Sequence, residues 1–168
     1  MSKPFVAILM GSDSDLPKVE VALDVLRTLN VHCEVRVHSA HRTPDATHSY
    51  VKDADARGCA AFICCAGMAA HLAGVVASLT IKPVIGVPID AGSLNGLDAL
   101  LSTAQMPGGI PVATVAIGEA GAQNAAYLAC QIIALGDADL AERLKADRRA
   151  SAEDVLARNA TLQKKLGA

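Results

Sequence analysis

Residues 5–38 read FVAILMGSDSDLPKVEVALDVLRTLNVHCEVRVH, and their pattern decides the fold. Residues 5–10 are apolar without alternation and stop at Gly11, the pattern of a strand covered on both faces of a parallel sheet. From Val19 onward the apolar residues Val19, Ala22, Leu23, Leu26 and Leu29 recur at helical spacing. Ser14 or Asp15 can cap the start of that helix, and Pro17 is tolerated in its first turn. At 32–38 the period changes to two: Cys33, Val35 and Val37 alternate with Glu34, Arg36 and His38, so one face is wetter, as suits an edge strand. The stretch is a strand, a crossover helix and a second strand.

The same alternation continues to about residue 135. Short apolar runs predict strands at 60–65, 84–89 and 112–117, and helices are expected at about 44–57, 69–79, 94–105 and 120–135. Strands and helices in strict alternation, joined by short loops, imply an α/β fold, a doubly wound three-layer α-β-α sandwich. An edge-like second strand favours the flavodoxin-like order 2-1-3-4-5, which puts the ends of the first and third strands at the switch point where ligands bind. A chain of 168 residues is expected to form one domain, 1–168, burying roughly 70% of the surface of the unfolded chain.

Composition removes several classes of function. Apolar residues make up 52% and charged residues 19%, below the usual charged share of about 25%, which excludes a disordered chain. A formal net charge of -2 lacks the positive excess that nucleic-acid binders use, so no nucleic-acid partner is expected. Aromatics at 2%, with no Trp, leave almost nothing on which to stack bases or a flavin ring. Neither a G-x-x-x-x-G-K-[ST] loop nor a G-x-G-x-x-G loop occurs, which disfavours an ordinary ATPase or dinucleotide enzyme. Cys33, Cys59, Cys64, Cys65 and Cys130 form no C-x-x-C pair and read as reduced, mostly buried small hydrophobes. The histidines and cysteines match no zinc-ligand spacing, so no metal is expected. The opening apolar run is too short for a signal peptide or a membrane span, and a cytoplasmic protein without a membrane partner is expected.

Charge is very unevenly spread. Between residues 60 and 118 the only formal charges are Lys82, Asp90 and Asp98, whereas residues 137–168 carry thirteen. The expected helix at 69–79, AAHLAGVVASL, has no polar face, so a second surface must cover it, and in a domain this small another subunit would supply it. The tail 137–168 reads as one or two charged surface helices, with Ser151 before Glu153 and Asp154 as a helix start, able to pack on a neighbouring subunit.

Three strand ends hold the residues that can carry chemistry. The first, Gly11–Asp15, lies where a strand meets a helix N-terminus, so free backbone N–H groups and the hydroxyls of Ser12 and Ser14 suit an anion such as phosphate. The same residues also make a plain helix cap, and the loop alone leaves both roles open. The second, SAHRTPD at 39–45, offers the Ser39 hydroxyl and the Arg42 guanidinium to an oxyanion. His41 between them is the type of side chain, with an ordinary pKa of about 6.5, that moves protons near neutral pH. At the third, CAGMAAHLAG at 65–74, Gly67 lets the backbone approach a ligand closely. His71 reads first as a buried helix histidine satisfied by a carbonyl, with a catalytic role as the second reading.

These motifs, in order and at these spacings, closely resemble one family. MGSDSD at 10–15, SAHRTPD at 39–45, the AGMAAHLAG loop, PVIGVP at 83–88 and LNGLDALLSTAQMPGGIPVATVAIG at 94–118 resemble the class I N(5)-carboxyaminoimidazole ribonucleotide mutases, the catalytic subunit of phosphoribosylaminoimidazole carboxylase. The resemblance runs from about residue 4 to 135 and is weak in the tail. It implies a flavodoxin-like homo-octamer that carries a carboxylate from the exocyclic nitrogen of the imidazole ribonucleotide to ring carbon 4, in purine (IMP) biosynthesis, without ATP, metal or organic cofactor.

By that resemblance Ser12, Ser39 and Arg42 hold the substrate phosphate and Asp15 the ribose hydroxyls. Ala66 and Gly67 hold the carboxylate or the carbon dioxide released midway, and His41 shuttles the proton that leaves carbon 4, with His71 the second candidate. Two departures stand out: Met68 occupies a position where a second Gly is usual, and Leu16 one where an aromatic residue is frequent, which implies a carboxylate loop and pocket wall of different shape. Competing readings are a carboxylase of the same superfamily that uses free carbon dioxide and aminoimidazole ribonucleotide, and a non-catalytic flavodoxin-like binding module or electron carrier.

Overall fold

Strand β1 (Phe5–Met10), buried along its whole length, is an inner strand of the molecule, whose computed structural model describes residues 4–167. On one side β1 pairs with β2 (Cys33–Val37), and on the other with β3 (Cys59–Gly67). Beyond them lie β4 (Val84–Ile89) and β5 (Ala113–Thr114), all pairs being parallel, so the sheet has the order β2-β1-β3-β4-β5. This is the order expected from the sequence.

Alternate residues of β1 feed two separate cores, which makes the sandwich. Val6, Ile8 and Met10 join Ala61, Ile63 and Cys65 of β3 and Ile85, Val87 and Ile89 of β4 beneath helices α1 (Leu16–Thr28) and α5 (Glu119–Ala134). Phe5, Ala7 and Leu9 join Phe62 and Cys64 beneath α2 (Pro44–Ala56) and α3 (Leu72–Ala77). Helix α4 (Leu97–Ala104) lies on this second face, where a Cβ on Gly86 would sit 2.3 Å from the methyl of Thr103. Both faces of the sheet are therefore covered, which is why its central strands can be continuously apolar. β2 differs, as an edge should: Val37 is half exposed, and Glu34 on its wetter face accepts from Arg57 at 2.5 and 3.0 Å and from the Tyr50 hydroxyl at 3.0 Å. Those bonds, Arg57 foremost, pull the Glu34 carboxyl down to about 2 and tie the edge strand to α2.

Several expected boundaries shift, each for a local reason. β3 runs two residues past 65, carrying Ala66 and Gly67 onto the strand. β5 is two residues long instead of 112–117, because the chain turns away after the pairs Ile85–Ala113 and Gly86–Thr114 to enter α5 through Gly118, whose φ is 73°. The helix expected at 69–79 is only Leu72–Ala77, since Met68 adopts φ 55° and the Ala70 N–H is taken by the Ser102 hydroxyl at 3.1 Å. Asn95 and Gly96, both left-handed, delay α4 to Leu97.

The first turn and the tail also differ from expectation. Ser12 caps a short 3-10 turn, Asp13–Asp15, by accepting from the Ser14 N–H, while Asp15 stands at the N-cap of α1 without a side-chain cap bond. The tail is one helix, α6 (Ala138–Leu166), and the start expected at Ser151 lies inside it. Asp137 caps α6 by accepting from the Leu140 N–H at 2.9 Å. Leu140 is buried and Arg143 donates to the Leu29 carbonyl at 2.9 Å, whereas residues 148–167 are exposed. An Ala-, Leu- and charge-rich sequence with i,i+4 pairs such as Arg158–Asp154 favours uninterrupted helix over a break.

Candidate active site

Parallel strands end on the same side, so the loops after β1, β2, β3 and β4 converge on one rim. Main-chain bonds fix their heights: the Gly11 N–H donates to Cys65 O at 3.0 Å and the His38 N–H to Met10 O at 2.8 Å. On this frame the Ser14 hydroxyl donates to Ser12 Oγ at 2.8 Å, forming a small hydroxyl cluster. From the β2 side Arg42 Nη2 donates to Gly11 O at 3.1 Å, and the Arg42 backbone N–H donates to Ser39 Oγ at 3.2 Å. The structure thus brings Ser12, Ser39 and Arg42 to one corner, as the sequence leads one to expect.

Asp15 lies beside that corner, over the end of β3. It is 9% exposed, and burial raises its carboxyl above the ordinary carboxylate value, with bonding to Ser12 and the charge of Lys18 working the other way. Cys65 beneath it is fully buried, and loss of solvent pushes its thiol far up, which makes it a packing residue with no thiolate to offer.

The two histidines meet across the rim. His41 Nε2 and His71 Nδ1 are 2.8 Å apart and the rings cross edge-on, 4.9 Å between centroids. His71 is therefore no buried helix residue satisfied by a carbonyl: it is exposed, stands at the N-cap position of α3, and has the other imidazole as its partner. One nitrogen of each ring is used in this bond, which leaves each ring a second nitrogen for another group.

Ala66 and Gly67 form the floor beside the histidines. A Cβ on Gly67 would lie 2.9 Å from the Ala91 methyl and 3.2 Å from Ile89 O, so no side chain fits there. Met68 follows with its strained left-handed backbone, 58% exposed, and leans on the loop after β4, its side-chain atoms 3.4–3.9 Å from where a Gly92 Cβ would be. Leu16, the other departure, is partly exposed at the start of α1.

One element of the rim escaped the reading of the sequence. Lys18 Nζ contacts Asp90 Oδ1 at 2.5 Å and donates to the Asp90 carbonyl at 2.8 Å, joining the first turn of α1 to the end of β4. The bond from Lys18 holds the Asp90 carboxyl below its ordinary value. The available signal was the scarcity of charge around Asp90. Among the described residues no three of His, Cys, Asp and Glu gather as metal ligands. Hollows of about 690 Å³ between α5 and α6 and about 800 Å³ at the opposite end of the sheet touch none of these residues.

Chemically, the rim offers an oxyanion corner, a largely buried carboxyl, a histidine pair and a small-residue floor. The same architecture occurs in the crystal structure of Treponema denticola PurE, with a TM-score of 0.86, 31% identity, and 96% of this chain and 99% of that one covered. Among relatives, the N5-carboxyaminoimidazole ribonucleotide mutase of Bacillus subtilis is 51% identical over 92% of this chain and 95% of its own length. That of Escherichia coli is 49% identical over 90% of this chain and 89% of its own. Residues 5–154, the whole sheet together with all its loops, match the family described as AIR carboxylase, and the chain belongs to that family.

Proposed function

We propose that this protein is the mutase that converts N5-carboxyaminoimidazole ribonucleotide into 4-carboxyaminoimidazole ribonucleotide in purine biosynthesis. The observation that carries this reading is the hydrogen-bonded His41–His71 pair standing next to an oxyanion corner and a floor of small residues. In the first half of the reaction the bond between the exocyclic nitrogen and the carboxylate carbon breaks, its electron pair and one proton go to nitrogen, and carbon dioxide is freed. In the second half, ring carbon 4 bonds to that carbon dioxide and gives up its own proton. One proton is taken and one returned, so a single imidazole that starts protonated ends protonated.

Ser12, Ser39 and Arg42 hold the phosphate, and Asp15 receives the ribose hydroxyls. Ala66 and Gly67 bound the carboxylate and the freed carbon dioxide, and His41 moves the proton with His71 as its partner. An arginine contact to phosphate is worth roughly 1.5–3 kcal/mol. Arg42→Ala therefore weakens ribonucleotide binding by about ten- to a hundred-fold with the fold intact, and unchanged affinity in calorimetry would remove Arg42 from this role.

The direct test is to follow, by absorbance and without ATP, the interconversion of the two carboxylated ribonucleotides. Product formed only from aminoimidazole ribonucleotide and bicarbonate would instead identify the direct carboxylase. The enzyme works as a homo-oligomer, an octamer by the family resemblance. The support in this chain is Leu94 just before α4 with Leu97 and Leu101 on it, each more than half exposed, and the exposed Val155, Leu156, Leu162 and Leu166 of α6, surfaces a neighbouring subunit would cover. A monomer in sedimentation at micromolar concentration would refute this. Five free cysteines, of which four are buried, and the absence among the described residues of a helix long and apolar enough to cross a membrane support a cytoplasmic location.

A further inference from the structure

Lys18 and Asp90 lie 72 residues apart, yet the ammonium engages both the carboxylate and the main-chain carbonyl of Asp90, at 2.5 and 2.8 Å. Their side chains are 30% and 45% exposed, and an ion pair so placed adds little to global stability. What it does fix is the position of a loop. Asp90 opens the segment between β4 and α4, where Gly92, Asn95 and Gly96 all have left-handed backbone, with φ of 68°, 48° and 83°. On its inner side that segment rests on the floor of the cleft, Ala91 against Gly67 and Gly92 against the Met68 side chain. On its outer side Lys18 holds it.

We propose that the Lys18–Asp90 pair is a latch that keeps the β4–α4 loop closed against Gly67 and Met68, so that carbon dioxide freed in the first half-reaction stays until carbon 4 captures it. This rests on the mutase reading above and deepens it. Carbon dioxide carries no net charge and no donor group, so enclosure retains it better than any single contact. A gap beside Gly67 would release it. Lys18 and Asp90 touch neither reacting atom and act as positioning residues. Loss of the latch leaves phosphate and ribose contacts in place and changes how the intermediate partitions: carbon dioxide departs, and aminoimidazole ribonucleotide, already protonated on nitrogen, leaves as an abortive product.

The test measures, in low-bicarbonate buffer, the fraction of enzyme-processed N5-carboxyaminoimidazole ribonucleotide that ends as free aminoimidazole ribonucleotide, with the uncatalysed loss subtracted. Lys18→Met and the near-isosteric Asp90→Asn each raise that fraction by about two- to fivefold, the scale on which one exposed ion pair shifts an open–closed equilibrium. Both also increase incorporation of carbon from labelled bicarbonate into the product, with KM little changed. Lys18→Arg, which can still reach both oxygens, stays close to the wild-type fraction. An unchanged fraction in both variants, with or without a lower kcat, overturns the latch, as does an equal rise in Lys18→Arg. A wild-type enzyme that forms no 4-carboxylated product overturns the mutase reading itself, a distinct result.

Discussion

Replacing His41 by asparagine lowers turnover by about 100-fold or more, the usual scale for losing a general acid-base group, while ribonucleotide binding and the fold persist. The reaction demands a proton for nitrogen and removes one from carbon 4, and carboxylates, ordinarily titrating near 3.9, suit that task poorly near neutral pH. Asp15 is raised by burial but lies toward the Ser12 side of the rim. His41 follows Ser39 by two residues and precedes Arg42, whose guanidinium donates to Gly11 O just past β1 and whose backbone N–H donates to Ser39 Oγ. In the proposed reading, a phosphate anchored there would have the His41 imidazole beside the ribonucleotide. In the proposed mechanism His71, bonded to His41 at 2.8 Å, orients the ring. His71→Asn therefore costs less turnover than His41→Asn. Exchange of the carbon 4 hydrogen with deuterated solvent reads the step directly: it disappears in His41→Asn. Exchange that survives there and vanishes in His71→Asn would reverse the two roles.

Gly121→Ala has the largest expected effect on stability. Gly121 sits in the first turn of α5, and an added Cβ would lie 1.7 Å from the Ala116 carbonyl oxygen and 2.6 Å from its carbon. Both obstacles are backbone, so no rotamer change relieves the clash. Either α5 moves off the sheet, uncovering Ala122, Ala125, Ala126 and Ala129 in the first core, or the strand-end segment before Gly118 is displaced. Overpacking of this kind costs about 3 kcal/mol or more, which in a chain of this size corresponds to a melting temperature lower by about 6–12 °C. Gly108→Ala, where an added Cβ meets nothing within 4 Å, is the matched control and melts with the wild type. Equal melting of the two variants at one protein concentration would show that the α5 contact yields without cost.

The amino-acid sequence by itself determined the order of the sheet and the address of the cleft. Burial is a local, periodic property: continuous apolar runs at β1 and β4 and the two-residue period of β2 report how many faces each strand covers, and that information suffices to rank centre against edge. It also placed Ser12, Asp15, Ser39, His41, Arg42, Ala66 and Gly67 at strand ends, which in a parallel sheet all fall on one rim.

Tertiary structure alone decided which of those groups touch. The bonds from His41 to His71 and from Lys18 to Asp90 span 30 and 72 residues. They depend on strand register and loop height, to which side-chain periodicity is blind. It decided, too, where elements stop. Met68, Asn95, Gly96 and Gly118 leave the ordinary backbone regions and cut short α3, α4 and β5, although the apolar pattern runs on through them. Local hydrophobicity records that a residue is to be buried, whereas ladder pairing and left-handed turns are settled by what the rest of the chain packs against it.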